Sequence, residues 1–277
     1  MLYGKETGGA LRQEVADRVE EIRAAGGTVP GLAVVVVGEN PASRLYVRSK
    51  RRACKRAGLY SRKVALPGDT TREALLKAIA DLNHDPLIHG ILVQLPLPPH
   101  IDSQEVLQTI LPIKDVDGFH PENVGRLHIG LPCHKPCTPA GVMELLKRYE
   151  IDCTGKQAAV IGRSNIVGKP MASLLTEANA TVTVCHSRTS NIEAIVGEAD
   201  ILVSAIGLPN FVKGAWIKQD AVVVDVGQNT VDGVLLGDIE YDEASTKASY
   251  ITPVPGGVGP MTVAILLQNT LRACSGM

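Results

Sequence analysis

Hydrophobic and polar positions alternate along the chain in two rhythms. Gly31–Val37 is a continuous apolar run before the turn Gly38-Glu39-Asn40-Pro41, the pattern of a strand buried on both faces. A helical stretch follows to about Ala57, then a strand over Ser61–Leu66 and a helix over Thr71–Asn83 with Thr70 or Thr71 as its cap. Gly90–Gln94 reads as a third strand, stopped by Pro96, Pro98 and Pro99, and Ser103–Ile110 as a short helix. The segment Pro112–Gly130 carries turn residues with little periodicity, and Pro139–Tyr149 resumes a helical pattern. From Lys156 a second alternation begins, with strands over Gln157–Ile161, Ala180–Cys185, Ile201–Ile206 and Ala221–Val226 and a helix over Pro170–Glu177. Val231-Asp232-Gly233-Val234 predicts a hairpin, and the loop Pro253–Pro260 leads into a last apolar helix, Thr262–Ala273. Such alternation predicts an α/β fold: parallel sheets flanked by helices, in two domains with a boundary near residue 135.

Charge and composition narrow the partners. Lys and Arg total 28 against 29 Asp and Glu, a net charge of −1, so no global basic field points to nucleic acid or an anionic membrane. Hydrophobic residues make up 45% and charged residues 21%, the range of globular chains. Nine aromatic residues in all leave the core to Val, Ile, Leu and Ala. Apolar runs such as Leu32–Val37 fall far short of the ~20 residues that span a bilayer, and the opening Met-Leu-Tyr-Gly-Lys-Glu has no secretory pattern. A soluble, cytoplasmic protein is expected. The six cysteines are widely spread; Cys133, His134 and Cys137 lack a second ligand pair, so ordinary thiols and no metal are predicted.

The helix after the first strand carries the most chemistry. Arg44–Arg56 holds seven basic residues and no acidic one. At roughly 100° per residue, Ser43, Tyr46, Val47, Ala53, Cys54 and Ala57 share the face of Lys50, while the other six cations point away. Lys50 is thus the single cation on the face turned toward the core. It could snorkel to water, or it could sit partly desolvated in a cleft, where an amine loses proton affinity and can handle protons near neutrality. The outward cations read as a solvated face, or less readily as an attraction for an anionic substrate tail.

A nucleotide site is readable in the second half. Val160-Ile161-Gly162-Arg163-Ser164-Asn165-Ile166-Val167-Gly168 joins a strand to a helix, so glycines and a helix N-terminus meet at a turn, where a phosphate could approach. The spacing is not Gly-x-Gly-x-x-Gly, and a plain tight turn is an equal reading of this segment alone. The next strand ends in Cys185-His186-Ser187-Arg188-Thr189, with hydroxyl and guanidinium groups where an NAD enzyme would carry an acid; this pattern suits a 2′-phosphate and points to NADP. Gly207 and Asp225-Val226-Gly227-Gln228-Asn229 end the following strands, where ligands of open α/β sheets bind.

Six segments together resemble one family. They are Tyr46-x3-Lys50, Gly90-Ile-Leu-Val-Gln94-Leu-Pro-Leu-Pro98, Lys114-Asp-Val-Asp117-Gly-Phe119, Pro136-Cys-Thr-Pro-x-Gly141, Gly162-Arg-Ser-x-Ile-Val-Gly168 and Pro253-Val-Pro-Gly-Gly-Val-Gly-Pro-Met-Thr262. The chain resembles the bifunctional methylenetetrahydrofolate dehydrogenase/methenyltetrahydrofolate cyclohydrolase family over nearly its whole length. That resemblance implies a folate-binding catalytic domain of residues 1–135 with 254–277, a Rossmann-like NADP-binding domain of residues 136–253, a cleft between them, and a homodimer. It implies Lys50 as the key residue of the hydrolysis, with Tyr46 and Gln94 beside it, and Asp117 as the partner of the pterin ring. By the same resemblance, Pro255, Gly256 and Gly257 in the Pro253–Pro260 loop are expected to line the substrate cleft, and Gly162, Arg163, Ser164, Ser187 and Gln228 to fall at cofactor positions. Gln228 departs from the aliphatic residue expected there. Two other readings stay open: a dehydrogenase without the hydrolytic step, and a non-catalytic NADP-binding sensor.

Overall fold

The chain is seen in a computed structural model that describes residues 1–39 and 41–276, with only the backbone course of residues 41–45. The side chains of Ser43 and Arg44, assigned above to opposite helix faces, lie outside the described residues. Strand-helix alternation does not predict the opening helix, α1 (Gly4–Ala24), although Leu11, Val15 and Val19 recur at four-residue steps and are buried. Then come β1 (Gly31–Val37), α2 (Pro41–Arg56), β2 (Tyr60–Leu66), α3 (Arg72–His84), β3 (Gly90–Val93) and α4 (Ser103–Thr109). Thr71 is the cap of α3, its hydroxyl accepting from Ala74 N. Within the aperiodic Pro112–Gly130 stretch lies α5 (Pro121–His128), started by Pro121 at its first turn and by the His120 ring accepting from Glu122 N. Eight residues are too few for a period to show.

The second half runs α6 (Cys137–Arg148), β4 (Gln157–Ile161), α7 (Gly168–Glu177), β5 (Thr181–Cys185), α8 (Ile192–Glu198), β6 (Ile201–Ser204) and β7 (Val222–Asp225). It continues through β8 (Asn229–Val231), β9 (Val234–Leu236), α9 (Tyr241–Lys247), β10 (Tyr250–Ile251) and α10 (Val258–Cys274). The β8–β9 hairpin turns on Asp232 and Gly233, both at positive φ (50° and 81°), as a two-residue turn of this hand requires.

Two compact units result. One comprises Ala10–Cys137 and Val263–Met277, the other Met1–Gly9 and Thr138–Thr262. Residues 1–9 and 254–262 therefore cluster with the second unit, where Leu2 N donates to Ile251 O (2.8 Å) and Lys5 N to Gly256 O (2.9 Å). The first unit is built on a parallel sheet in the order β2-β1-β3, over a core that includes Val35, Ile79, Ile91 and Val106. The second holds a parallel sheet in the order β10-β7-β6-β4-β5, with Ala159, Leu202, Val223 and Ile251 in its core.

In each sheet the chain leaves its first strand to one side and returns to the other, so the strand order reverses there. The crevice beyond the carboxyl ends at such a reversal is where open α/β sheets take ligands. In the first unit it lies between β1 and β3; in the second, between β4 and β6. Among the described residues no helix is long and apolar enough to cross a membrane.

Candidate functional site

The first reversal gathers the predicted chemistry. On α2, Val47 and Cys54 are buried, as is Ala57 just after it, whereas Arg48, Arg51, Arg52, Lys55 and Arg56 are exposed. Lys50 is half-buried, and its Nζ donates to Gln94 Oε1 at 3.2 Å. Gln94 follows β3 directly and is fixed at two further points: its backbone N–H donates to Val35 O (2.9 Å) and its Nε2 to Leu95 O (2.8 Å). The amide oxygen is thereby left for the lysine. Tyr46 stands one turn earlier, 42% exposed, with its hydroxyl pKa raised by desolvation.

Asp117 is what remains of its motif once the other residues are accounted for. Lys114 Nζ donates to the carbonyls of Leu82, Asn83 and Asp85, capping the end of α3. Asp115 accepts from His120 N (2.7 Å) and Asn123 Nδ2 (2.9 Å), bracing α5, and Val116 is wholly buried. The Asp117 residue keeps a partly open surface, yet its carboxyl is closely ringed by protein. Burial pushes its pKa up, the Lys50 charge and a hydrogen bond with the Cys137 thiol pull it back, and Asp115 adds to the rise.

Cys137 escapes sequence reasoning, which takes it for an ordinary thiol. It is buried with its Sγ donating to Val116 O (3.2 Å), and burial, with the adjacent Asp117 charge next, holds the thiol well above its usual range. Asn269 on α10 ties this corner together, its Nδ2 donating to Val116 O (2.9 Å) and Lys135 O (3.1 Å). No spacing rule links positions 117, 137 and 269; only the fold does. Of the metal-like trio, His134 is buried, its Nε2 bonded to Ile113 O at 2.9 Å.

On the solvent side of α2, Arg48, Arg51, Arg52 and Lys55 join Lys63 of β2 around a recess of about 840 Å³ that also includes Glu39. The outward cations thus frame a concave surface.

The second reversal is a backbone structure. Gly162 follows β4 at φ 118°, and a Cβ there would collide with the carbonyl of Ala205 beyond β6. Gly168, at the start of α7, packs as closely against the Gly162 carbonyl. Ser164 Oγ accepts from Val167 N (3.1 Å) and Gly168 N (3.3 Å), so this residue closes the turn into the helix, while Arg163 is exposed beside it. After β5, Thr189 Oγ1 accepts from His186 N (2.9 Å) and the His186 ring from Arg188 N (3.1 Å), a tight turn that leaves Ser187 and Arg188 exposed. A bare turn at a helix N-terminus, with a hydroxyl and a guanidinium at the next strand end and no carboxylate in that segment, fits a dinucleotide carrying a 2′-phosphate. Gln228 is exposed after β7, and its Nε2 lies against Gly259 at the head of α10. The side chain thus has a packing role that a backbone-only reading omits.

In the Pro253–Pro260 loop, Pro255 is exposed, Gly256 half-buried and Gly257 buried. Gly257 N donates to Pro253 O (2.8 Å), and the Gly257 carbonyl sits where a Cβ on Gly4 would be. Both glycines are engaged in the packing of their own unit.

Comparison with known proteins identifies the family. Residues 2–117 match the model of the tetrahydrofolate dehydrogenase/cyclohydrolase catalytic domain, and residues 136–276 that of the family's NAD(P)-binding domain. The bifunctional protein FolD of Acetivibrio thermocellus is 56% identical over 274 residues, 99% of this chain and 96% of that one. The crystal structure of the bifunctional FolD enzyme of Campylobacter jejuni superposes with a TM-score of 0.97 at 48% identity, covering 99% of this chain and 98% of that one. The Trypanosoma brucei enzyme, complexed with NADP cofactor and inhibitor, gives 0.95 at 44% identity over 99% and 96% of the two chains.

Proposed function

Because the chain belongs to the tetrahydrofolate dehydrogenase/cyclohydrolase family, we infer that it runs two reactions in sequence on one folate. Methylene-tetrahydrofolate is oxidised to the methenyl cation in an NADP-dependent step, and water opens that cation to formyl-tetrahydrofolate with release of a proton. NADP+, when bound, supplies the hydride acceptor. The exposed Ser187 and Arg188 support the phosphorylated form of the cofactor.

Each residue role is proposed from position and chemistry. Hydride loss is driven by the neighbouring nitrogen lone pair of the substrate, so the protein has to position more than to protonate. Hydrolysis needs a group that moves a proton, and Lys50 Nζ is assigned that task, aimed by Gln94 Oε1. Tyr46 offers a ring for stacking on the flat pterin, and Asp117 a carboxylate for the paired N–H donors of its aminopyrimidinone edge. Gly162, Arg163, Ser164, Ser187 and Gln228 are proposed for the cofactor, and Pro255, Gly256 and Gly257 for the substrate. By function we divide the chain into a folate-binding part, residues 1–135 with 254–277, and an NADP-binding part, residues 136–253.

The observation that carries this reading is the 3.2 Å bond from Lys50, the one inward cation among the described side chains of α2, to Gln94, with the lysine charge also acting on the Asp117 carboxyl. A coupled assay tests it: methylene-tetrahydrofolate is supplied with NADP+ or NAD+, and the methenyl and formyl products are followed by absorbance. Persistent accumulation of the methenyl species would reduce the protein to a dehydrogenase; nucleotide binding without turnover would reduce it to a sensor. We further propose a cytoplasmic homodimer. The edge strand β5, exposed at Thr181, Thr183 and Val184, supports a pairing surface, which light scattering of the purified chain checks.

A further inference from the structure

Two carboxylates in the nucleotide unit have no role in the scheme above. Asp225 and Asp238 are 5% and 0% exposed, and among the described residues neither pairs with a cation. Backbone donors solvate them instead. Asp225 Oδ1 accepts from Gly227 N (2.8 Å) and Asp238 N (3.0 Å), and its Oδ2 from Ile239 N (2.9 Å). Asp238 takes five donors: Oδ2 accepts from Ile206 N (2.8 Å), Gly207 N (3.3 Å) and Ser204 Oγ (3.2 Å), and Oδ1 from Leu208 N (3.1 Å) and Asn229 Nδ2 (3.0 Å). The pair interlocks, because a Cβ on Gly227 would strike the Asp238 carboxylate and one on Gly237 would strike that of Asp225. A short neutral side chain could not hold so many converging N–H groups without leaving some unpaired.

What these carboxylates anchor is specific. Residues 206–208 leave the carboxyl end of β6, and Asn229 follows the end of β7, next to Gln228. Those strand ends border the crevice where an open α/β sheet seats its ligand. We propose that Asp238 is a positioning residue for the nicotinamide end of the cofactor: its buried carboxylate locks the loop after β6 and the Asn229 side chain into one geometry, which aligns the hydride acceptor. This rests on the cofactor placement proposed above. At 0% exposure Asp238 itself presents no surface to substrate or cofactor.

The test uses the full-length chain with Asp238→Asn, which keeps the shape but turns an amide N–H₂ toward backbone N–H donors. Dehydrogenase kcat should fall roughly 100-fold and the Kd for NADP+ rise roughly 10-fold, the scale of a misaligned reactant and a disturbed ring site. The Kd for 2′,5′-ADP, which lacks nicotinamide, should stay within about twofold, and the cyclohydrolase rate should not change. Ser204→Ala removes one donor and keeps the carboxylate; a loss of about threefold in dehydrogenase kcat, again with 2′,5′-ADP affinity intact, is expected. Parallel loss of 2′,5′-ADP binding and cyclohydrolase activity in Asp238→Asn would make the role purely structural and overturn the proposal. Normal hydride transfer in a folded Asp238→Asn protein would also overturn it, as would an unaltered Ser204→Ala enzyme should Asp238→Asn fail to fold. Absence of 2′,5′-ADP binding in the unmutated protein is a separate result: it removes the cofactor placement, and this proposal with it.

Discussion

At the end of β1 and β3 the candidate folate site is made of side chains: an amine, an amide oxygen and a carboxyl converge from α2, the residue after β3 and the turn at Asp117. At the end of β4 and β6 the nucleotide turn is made of backbone, with Gly162 and Gly168 in contact and donors at a helix start. On the proposed function the same topological device serves two chemistries. Proton transfer needs groups that titrate or orient them, whereas binding a dinucleotide needs space and N–H dipoles. The first site should fail on the loss of one proton-handling side chain; the second should fail when the shape of its backbone turn is disturbed.

The largest effect expected is from Lys50→Met, which keeps the length of the stem and removes the amine. Cyclohydrolase activity should drop by about 10³ or more while the circular dichroism spectrum and NADP+ affinity are retained. A purified variant that still hydrolyses the methenyl compound at a normal rate removes Lys50 from its role. The mirror experiment is Gly162→Ala. A Cβ at φ 118° against Ala205 O should cut dehydrogenase kcat/KM by roughly 100-fold and lower Tm, with hydrolysis of supplied methenyl-tetrahydrofolate preserved. Equal damage to both activities would erase the contrast between the units.

A smaller change is expected from Ser187→Ala. Losing one hydroxyl to the 2′-phosphate should lower the preference for NADP+ over NAD+ by about tenfold, read as the ratio of the two kcat/KM values. Unchanged discrimination would move the 2′-phosphate elsewhere.

The last effect is read on stability and concerns pH. Burial pushes the Asp225 carboxyl up from 3.8 to about 6 against the pull of its backbone donors. A carboxyl raised in the folded state binds more protons there than in the unfolded chain. Its contribution is therefore most favourable below pH ~4 and is lost as pH rises through about 6, a cost of at most about 3 kcal/mol by neutrality. Urea unfolding at pH 4.5 and 7 should show Asp225→Asn losing that part of the slope. Identical slopes in variant and parent would return Asp225 to ordinary titration.

Much of this layout is legible in the sequence because its signals are local. The strands at Gly31–Val37 and Gln157–Ile161 are apolar runs bounded by turns, the hairpin is a two-residue Asp-Gly turn, and the isolation of Lys50 follows from helical geometry alone. Signals fail where an element is short or its reason is remote. Helix α5 has eight residues, and β10 has only two, paired to β7. Helix α1 carries its apolar residues at helical spacing but stands outside the strand-helix alternation.

The same divide runs through the sites. By itself the sequence determined the α/β class, the inward lysine and the glycine turn after β4, since periodicity and backbone sterics act over a few residues. The family resemblance already put Gln94 beside that lysine; only tertiary structure decided that Cys137 and Asn269 frame Asp117, and that Asp225 and Asp238 lock into each other's glycines. Those contacts join residues from about a dozen to more than a hundred positions apart, and a hydrogen bond between them exists only once the fold has brought the partners within 3 Å or so.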